Sequence, residues 1–285
     1  MAREMEESEV WVQGLRAHYY TAGESGPVVV LLHGGGTDSA MLSWRLLIPH
    51  LARDFRVFAP DWPGYGRSDP LPGQYSFEAL TAWLSALLDQ WKVSQASLVG
   101  VSMGGGGAIN FTLTSPERVQ KLVLVDSYGF QRKAPFHRLS YWMVRASWLM
   151  EWSWALTRRS RWLTRWSLAQ IFADARNISE SLLDEVFTAI QNPSGQRAFL
   201  AFQQREMLPD RVLTCYLDRV EEIRTPTLIV HGEKDRLVPL SEAKEAAQRM
   251  PAARLVVIEN AGHWPMREQP EKFNRLVSAF LRNTG

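Results

Sequence analysis

Cysteine is almost absent from this chain. Cys215 is the only one among 285 residues, so no disulfide can form within the chain and no zinc site can be built from cysteines. This scarcity is typical of a reducing compartment, and we expect a cytoplasmic protein.

The chain also lacks an excess of charge of one sign. It has 32 lysines and arginines against 30 aspartates and glutamates, which gives a net charge of +2. Proteins that bind nucleic acid are typically much more basic, so the balance argues against nucleic acid as a partner.

Long hydrophobic runs are missing as well. A membrane-spanning helix needs about 18 uncharged apolar residues, and the nearest candidate, Tyr141 to Leu156, is interrupted by Arg145 and Glu151. The first nine residues are acidic, whereas a signal peptide begins basic and then turns apolar. We therefore predict no transmembrane segment and no export signal.

What the chain does have is a rhythm of short apolar runs that alternate with helical patterns. Helices are predicted after the N-cap candidate Ser76 and from Met103 to Thr114. Six runs rich in Val, Leu and Ile predict strands buried on both faces: Val28–Leu32, Arg56–Ala59, Ser97–Gly100, Leu122–Val125, Leu228–Val230 and Leu255–Ile258. This order is typical of an α/β protein with a mostly parallel sheet and helices on both faces.

This alternation of strand and helix patterns is interrupted between residues 129 and 221. The pattern there is helical, most clearly at Ser179–Ile190 and Arg197–Met207, and no buried-strand run appears. We predict a single domain whose core consists of residues 1–128 and 222–285, with a helical lid inserted at residues 129–221.

The candidate chemistry begins at Gly100-Val-Ser-Met-Gly104. In a G-x-S-x-G sequence the serine occupies a sharp turn from a strand into a helix, and the glycines let the backbone pass without side-chain clashes. A predicted strand precedes the motif here and a predicted helix follows it. This context favours Ser102 as a nucleophile over an incidental serine in a glycine turn.

A serine nucleophile needs a base and an acid that orients the base. Asp235 follows a predicted strand, and His263 lies in a glycine-containing loop after the last strand, which gives the chain order Ser, Asp, His. Asp61 and Asp126 also follow strands and are rival acids, with turn or helix capping as their alternative role. We favour Asp235, since Arg236 beside it helps to hold its charge.

A reaction at a carbonyl also needs backbone donors for the negative charge that develops on oxygen. The run His33-Gly-Gly-Gly36 follows the first predicted strand. We predict an oxyanion hole formed by the N–H of Met103 and that of Gly35 or Gly36. A phosphate-binding loop is the alternative, but the Lys-Ser/Thr ending of a P-loop and the spaced glycines of a dinucleotide site are both missing.

Together these motifs resemble those of the α/β-hydrolase superfamily. The resemblance extends to Asp61-Trp-Pro-Gly-Tyr-Gly-Arg-Ser-Asp69, Ser115-Pro-Glu-Arg-Val119 and Ala261-Gly-His-Trp264, so it covers the chain outside residues 129–221. Within the superfamily, the chain is most similar to the capped hydrolases that include carboxylesterases and the meta-cleavage product hydrolases, which cleave C–C bonds. The resemblance implies a triad of Ser102, Asp235 and His263, and no metal or organic cofactor.

Two departures from the C–C hydrolases bear on the substrate. Those enzymes usually carry an Asn before the nucleophile, where this chain has Val101, and a lid arginine for the acid groups of the substrate, where rough alignment places Val186. Trp264 does match them, and we predict that Val101 and Trp264 contact the substrate. We expect a serine hydrolase of esters with an apolar or aromatic group, with C–C bond hydrolysis or a slow, ligand-binding hydrolase as alternatives.

The predicted lid is rich in tryptophan and arginine. Six of the twelve tryptophans lie between Trp142 and Trp166, and the segment from Arg132 to Trp166 has eight basic residues against one acid, Glu151. Such a stretch can lie weakly on a membrane surface or bind a partner. We favour a role in lining the substrate pocket, with Trp142 and Arg145 as the candidates for substrate contact.

Overall fold

The central element of the protein is a sheet of eight strands. The computed structural model describes residues 5–283, so the first four and the last two residues of the predicted core lie outside the described residues. The strands are β1 (Glu6–Val12), β2 (Leu15–Ala22), β3 (Val28–Leu32), β4 (Arg56–Pro60), β5 (Ala96–Val101), β6 (Val119–Val125), β7 (Thr227–Gly232) and β8 (Ala253–Ile258). Their spatial order is β1-β2-β4-β3-β5-β6-β7-β8.

Strands β3 to β8 run parallel to one another, and each contains a run that the sequence predicts as a strand. Strands β1 and β2 were not predicted from the sequence; they form an antiparallel hairpin that joins the sheet beside β4. These two strands are more polar and more exposed than the others, so a search for buried apolar runs does not find them. Their turn has positive φ at Gln13 and Gly14, as a tight hairpin requires.

Twelve α-helices accompany the sheet in the described part of the chain. They are α1 (Ala40–Trp44), α2 (Ile48–Leu51), α3 (Phe77–Gln90), α4 (Met103–Thr114), α5 (His137–Arg145), α6 (Ser147–Arg159), α7 (Arg161–Ala169), α8 (Glu180–Ala189), α9 (Ser194–Glu206), α10 (Leu240–Arg249), α11 (Pro265–Glu268) and α12 (Pro270–Arg282). None of these helices, all within residues 5–283, combines the length and apolar character that a bilayer crossing demands.

Side chains alternate between the two faces of the sheet. In β3, Val30 belongs to an apolar cluster that includes Leu84 of α3, whereas Val29 belongs to a second cluster that includes Val277 of α12. Because both faces are covered by helices, a strand can be apolar along its whole length. The predicted fold class, a mostly parallel sheet with helices on both faces, is confirmed.

Helices α5 to α9 all lie between β6 and β7, where the sequence predicts the lid. Val144 of α5 packs with Leu200 of α9, Met207 and Val212 in a small third apolar cluster. Since β6 and β7 are neighbours in the sheet, the chain leaves the sheet after β6 and returns to it beside the same strand. The division into a core and a lid at residues 129–221 stays a prediction.

Candidate active site

Ser102 lies at the turn between β5 and α4 in a strained backbone conformation. Its φ is 51° and its ψ is −120°, a region that non-glycine residues rarely adopt. The turn is held by the Ser102 N–H, which donates to the Val125 carbonyl oxygen at 2.9 Å. A Cβ atom on Gly100 would lie 2.4 Å from the Gly104 oxygen, and one on Gly104 would lie 2.2 Å from the Leu32 oxygen. The two glycines of the motif are therefore needed for the close approach of the backbones.

His263 and Asp235 form a buried hydrogen-bonded pair. The Nδ1 atom of His263 lies 2.8 Å from Oδ2 of Asp235. The other carboxylate oxygen of Asp235 accepts hydrogen bonds from the backbone N–H groups of Leu237, at 2.7 Å, and Val238, at 3.2 Å. The carboxylate is thus fixed on one side by the backbone and holds the imidazole in one orientation on the other.

The charge of Asp235 is stabilised by its surroundings. Burial favours the neutral acid, but His263, through its charge and its hydrogen bond, and the nearby His231 outweigh burial and lower the pKa of Asp235. The pair can therefore provide an anion that stabilises a protonated imidazole at neutral pH.

A second carboxyl group, that of Asp126, lies directly behind this pair. It follows β6, is fully buried, and accepts a hydrogen bond from the Gly232 N–H at 2.8 Å. Ligating atoms of Asp126, Asp235 and His263 all lie within 4.8 Å of one another. Burial, followed by the negative charge of Asp235, raises the pKa of Asp126 well above its ordinary value. Of the two carboxyl groups, Asp126 is thus the one whose surroundings favour the neutral form, and Asp235 is the one whose surroundings favour the anion.

These three residues also have the donor types of a metal site. Most of their donor atoms, however, are engaged within the protein: Asp235 binds His263 and two backbone N–H groups, and Asp126 Oδ1 accepts from the Gly232 N–H, whereas Asp126 Oδ2 has no hydrogen-bond partner. A group in which the surroundings of one carboxyl favour its neutral form, and in which the imidazole is already hydrogen-bonded, suits proton transfer better than metal binding.

Ser102 and His263 line the same cavity, which has a volume of about 350 Å³. Its walls are largely apolar, and they come both from helices α6 to α9 and from the loops that follow the strands. Met150, Trp154, Leu168, Val186 and Phe199 belong to α6 to α9, whereas Leu237 and Trp264 lie after β7 and β8. Its neutral polar side chains include those of Gln196 and Gln203. Among these lining residues, which fall between positions 34 and 264, there is no lysine or arginine.

The predicted oxyanion donors lie at this cavity or next to it. Gly35 and Gly36 line it, and α4 begins at Met103, where helix N–H groups have no partner within the helix. The N–H of Gly34 is occupied, since it donates to Asp38 at 2.7 Å. A Cβ atom on Gly35 would lie 2.3 Å from the Phe199 ring, so a side chain at this position would collide with α9. The assignment of Met103 and Gly35 or Gly36 as donors stays a prediction.

Of the four residues predicted to contact the substrate, the structure places only Trp264 at the cavity wall. Val101 points into the second apolar cluster, because side chains of β5 alternate between the faces of the sheet. On α5 it is Val144 that turns inward, so Trp142 and Arg145 are exposed, and Arg145 lies over the Tyr141 ring at 5.2 Å. The structure therefore does not support substrate contact by Val101, Trp142 or Arg145.

Sequence reasoning missed the buried acid that shapes the glycine run. The Asp38 carboxylate accepts hydrogen bonds from the Gly34 and Ser39 N–H groups and from the Ser43 hydroxyl. Also not predicted from the sequence were the residues that α9 contributes to the cavity, Phe199, Gln196 and Gln203. No motif marks these residues. For this segment the sequence predicted only a helix at Arg197–Met207.

Comparison with known proteins relates this site to a family. The family described as "alpha/beta hydrolase fold" matches residues 27–270. The 2-hydroxy-6-oxo-6-phenylhexa-2,4-dienoate hydrolase of Comamonas testosteroni is 34% identical over 270 residues, which cover 93% of this chain and 91% of that enzyme. The 2-hydroxymuconate semialdehyde hydrolase of Pseudomonas sp. (strain CF600) is 31% identical over 278 residues, which cover 96% of this chain and 93% of that enzyme.

Solved structures of hydrolases are also similar to this chain. The meta-cleavage product hydrolase CumD of Pseudomonas fluorescens IP01 is similar with a TM-score of 0.83 and 29% identity, over 98% of both chains. Carboxylesterase CesB (YbfK) of Bacillus subtilis has a TM-score of 0.78 at 23% identity, over 98% of this chain and 92% of that one, a likeness of fold alone.

Proposed function

The chain belongs to the α/β hydrolase fold family and is a hydrolase, and on that premise we propose that it cleaves the C–C bond of a vinylogous diketone of the meta-cleavage type. The likeness to the Comamonas testosteroni enzyme, over nine tenths of both chains, carries this proposal. It reverses the preference of the sequence analysis, in which ester hydrolysis came first and C–C hydrolysis second. The arrangement of Ser102, His263 and Asp235 suits either reaction.

In the proposed reaction Ser102 Oγ attacks the ketone carbonyl, and His263 accepts its proton while Asp235 holds the imidazole. The N–H groups of Met103 and Gly35 or Gly36 stabilise the resulting oxyanion. When this intermediate collapses, the electron pair of the C–C bond leaves with the dienolate fragment, which takes up the proton from His263. The acyl group stays on Ser102 until water, deprotonated by His263, releases the carboxylic acid.

The walls of the cavity restrict the substrate within this class. Val186 stands where the resemblance to the C–C hydrolases roughly places an arginine, and it lines the cavity. A carboxylate buried there would have no cationic partner, which costs several kcal/mol. We propose that the preferred diketone carries no carboxylate in the part of the cavity next to Val186.

Ester hydrolysis is the second candidate, and the same observation favours it. A neutral ester needs no cationic partner, so a cavity with apolar walls and no lysine or arginine accepts it without the cost of burying a charge. A third candidate is a ligand-binding protein that retains the triad but hydrolyses its ligand slowly.

The test compares kcat/KM for a 2-hydroxy-6-oxo-dienoate, its methyl ester and an aryl ester of similar size. We expect both diketones to be cleaved faster than the aryl ester. The methyl ester should exceed the dienoate by at least ~10²-fold, which corresponds to about 2.7 kcal/mol in transition-state binding. Turnover of the aryl ester without diketone cleavage would establish the second candidate, and tight binding without turnover of any of the three would establish the third.

Variants at Val186 test the position of the acid end of the substrate. Val186→Arg should raise kcat/KM for the dienoate and lower it for the methyl ester, because a guanidinium then faces the cavity. Val186→Leu, which stays apolar, is the matched control and should leave the ratio near that of the wild type. An unchanged ratio in Val186→Arg would place the acid end elsewhere.

We also propose that residues 129–221 act as a lid over the site. Helices α6 to α9 supply the apolar residues of the cavity, while Ser102 and His263 come from the strand ends. Such an arrangement excludes bulk water from the acyl intermediate until the first product leaves.

A further inference from the structure

Helices α5, α6 and α7 each expose a stripe of apolar side chains to solvent. Their apolar residues recur every three or four positions, so each set lies on one helix face, and the most exposed are Trp148 at 72%, Trp162 at 70% and Trp142 at 68%. We call this set the outer face: Leu139, Trp142 and Met143 of α5, Trp148, Trp152 and Leu156 of α6, and Trp162 and Trp166 of α7.

These residues are not needed to attach the helices. The opposite sides of the same helices provide the inward contacts: Val144 packs in the third apolar cluster, and Met150, Trp154 and Leu168 line the cavity. Soluble monomers rarely expose contiguous apolar surfaces of this kind, and those that do generally use them for binding. The outer face therefore has the composition of a docking surface.

Positive charge predominates on the three helices that form the outer face. Among the described residues, Arg138, Arg145 and Arg159 on these three helices form no ion pair with a carboxylate, whereas Arg161 and Arg165 are paired with acids of α8. The only acid on α5 to α7 is Glu151. A partner with negative charge would thus be attracted to these helices.

We propose that the outer face docks on the surface of an anionic lipid bilayer, with the tryptophans at headgroup depth. Tryptophan is enriched at the boundary between headgroups and acyl chains, and arginines beside it bind anionic lipids. A second copy of the chain fits less well, because a two-fold contact would place the unpaired arginines of both copies against each other.

This docking is independent of which bond the enzyme cleaves. It does, however, place α6 between the lipid and the cavity, with Trp148 and Trp152 on one side and Met150 and Trp154 on the other. An apolar substrate dissolved in the bilayer would then be separated from the cavity by α6 alone.

The experiment is co-sedimentation of the full chain with vesicles of phosphatidylcholine alone or mixed with phosphatidylglycerol. We expect at least about tenfold more binding to the anionic vesicles, with most of the difference lost at high salt. Replacing Arg138 and Arg159 by Ala should weaken this binding by roughly 25-fold, about fivefold for each charge. Equal binding to both kinds of vesicle, or binding to neither, would overturn the proposal.

Variants of the apolar residues complete the test. Trp148→Ser with Trp152→Ser should lower binding by at least about tenfold, since these indoles would lie in the bilayer. Trp11→Ser is the matched control, because Trp11 is 66% exposed but lies on β1. Thermal melting and kcat with a water-soluble substrate show whether the variants stay folded. If the wild type is instead a dimer by analytical ultracentrifugation and the double variant a monomer without loss of vesicle binding, the outer face binds a second copy and the lipid proposal is wrong.

Discussion

At the scale of single residues, the position of Ser102 gives the most direct prediction. Ser102→Ala should lower kcat by about 10⁴ to 10⁶, and His263→Ala should do the same, because the members of such a triad act as one unit. Single-turnover and steady-state rates with the fastest substrate measure this loss. Ser94→Ala, an exposed serine just before β5, is the control. Activity within tenfold of wild type in the Ser102 variant would remove this serine from the reaction.

The two buried acids should respond differently to the same substitution. Asp235→Asn should lower kcat by about 10³ to 10⁴, since it removes the anion that orients and stabilises the imidazole of His263. Asp126→Asn should keep activity within a few-fold, because asparagine resembles the neutral form of the acid, which burial favours at this position. Steady-state kinetics of the two variants decide the matter. The reverse result would move the orienting acid from the end of β7 to the end of β6.

The sequence allows Ser102, Asp235 and His263 to be predicted because a motif and the chain order constrain them. The raised pKa of Asp126 was not predictable, since it depends on how deeply the residue is buried and on how close two carboxyl groups lie after folding. Phe199 and Gln203 were missed for a related reason. They come from a helix whose packing no local pattern specifies.

At the scale of elements, the four glycines that begin α4 differ in what they tolerate. A Cβ atom on Gly104 would lie 2.2 Å from the Leu32 carbonyl oxygen, whereas one on Gly107 would lie 3.3 Å from the Trp62 ring. Gly104→Ala should therefore destabilise the fold by about 3 kcal/mol. Gly107→Ala should stay within ~1 kcal/mol of wild type, because the gain in helix propensity offsets the contact with the ring.

Urea unfolding of the two glycine variants measures the difference. Equal stabilities would mean that the β3 backbone can move away from α4, contrary to the tight turn at Ser102. Activity should follow stability, since the turn that carries the nucleophile and the contact of Gly104 with β3 are part of the same structure.

Strands β3 to β8 were predictable to within a few residues, because burial on both faces leaves an apolar run that polar neighbours delimit. The helices α5 to α7 show where this reasoning ends. Their apolar periodicity predicts a helix with one apolar face, but the pattern is the same whether that face points to the cavity or to the outside. Trp142 was therefore assigned to the pocket, although it lies on the outer face.

At the scale of the whole molecule, Asp126 links stability to pH. Its pKa in the folded protein lies well above the ordinary value of about 3.9 that it has in the unfolded chain. Between these two values the folded protein holds a proton that the unfolded chain has lost, so stability falls as pH rises, by ~1.4 kcal/mol per pH unit. Asp126→Asn has no such proton to hold.

The melting temperature of Asp126→Asn, relative to that of the wild type, should therefore rise as the pH increases above about 4. Circular dichroism melts across this range measure the difference. Asp218→Asn, at a highly exposed carboxylate, should follow the wild type at every pH. A constant difference between Asp126→Asn and the wild type would show that Asp126 is ionised in the folded protein.

The position of β7 beside β6 has a consequence for how the protein is made. Residues 126–226 separate these neighbouring strands in the chain, and a ribosome releases the N-terminal part first. During that interval β6 is the open edge of an unfinished sheet, with unpaired backbone groups that can join another nascent chain. The tryptophans of α5 to α7 emerge in the same interval. Aggregation during synthesis is thus most favoured before β7 leaves the ribosome and closes that edge.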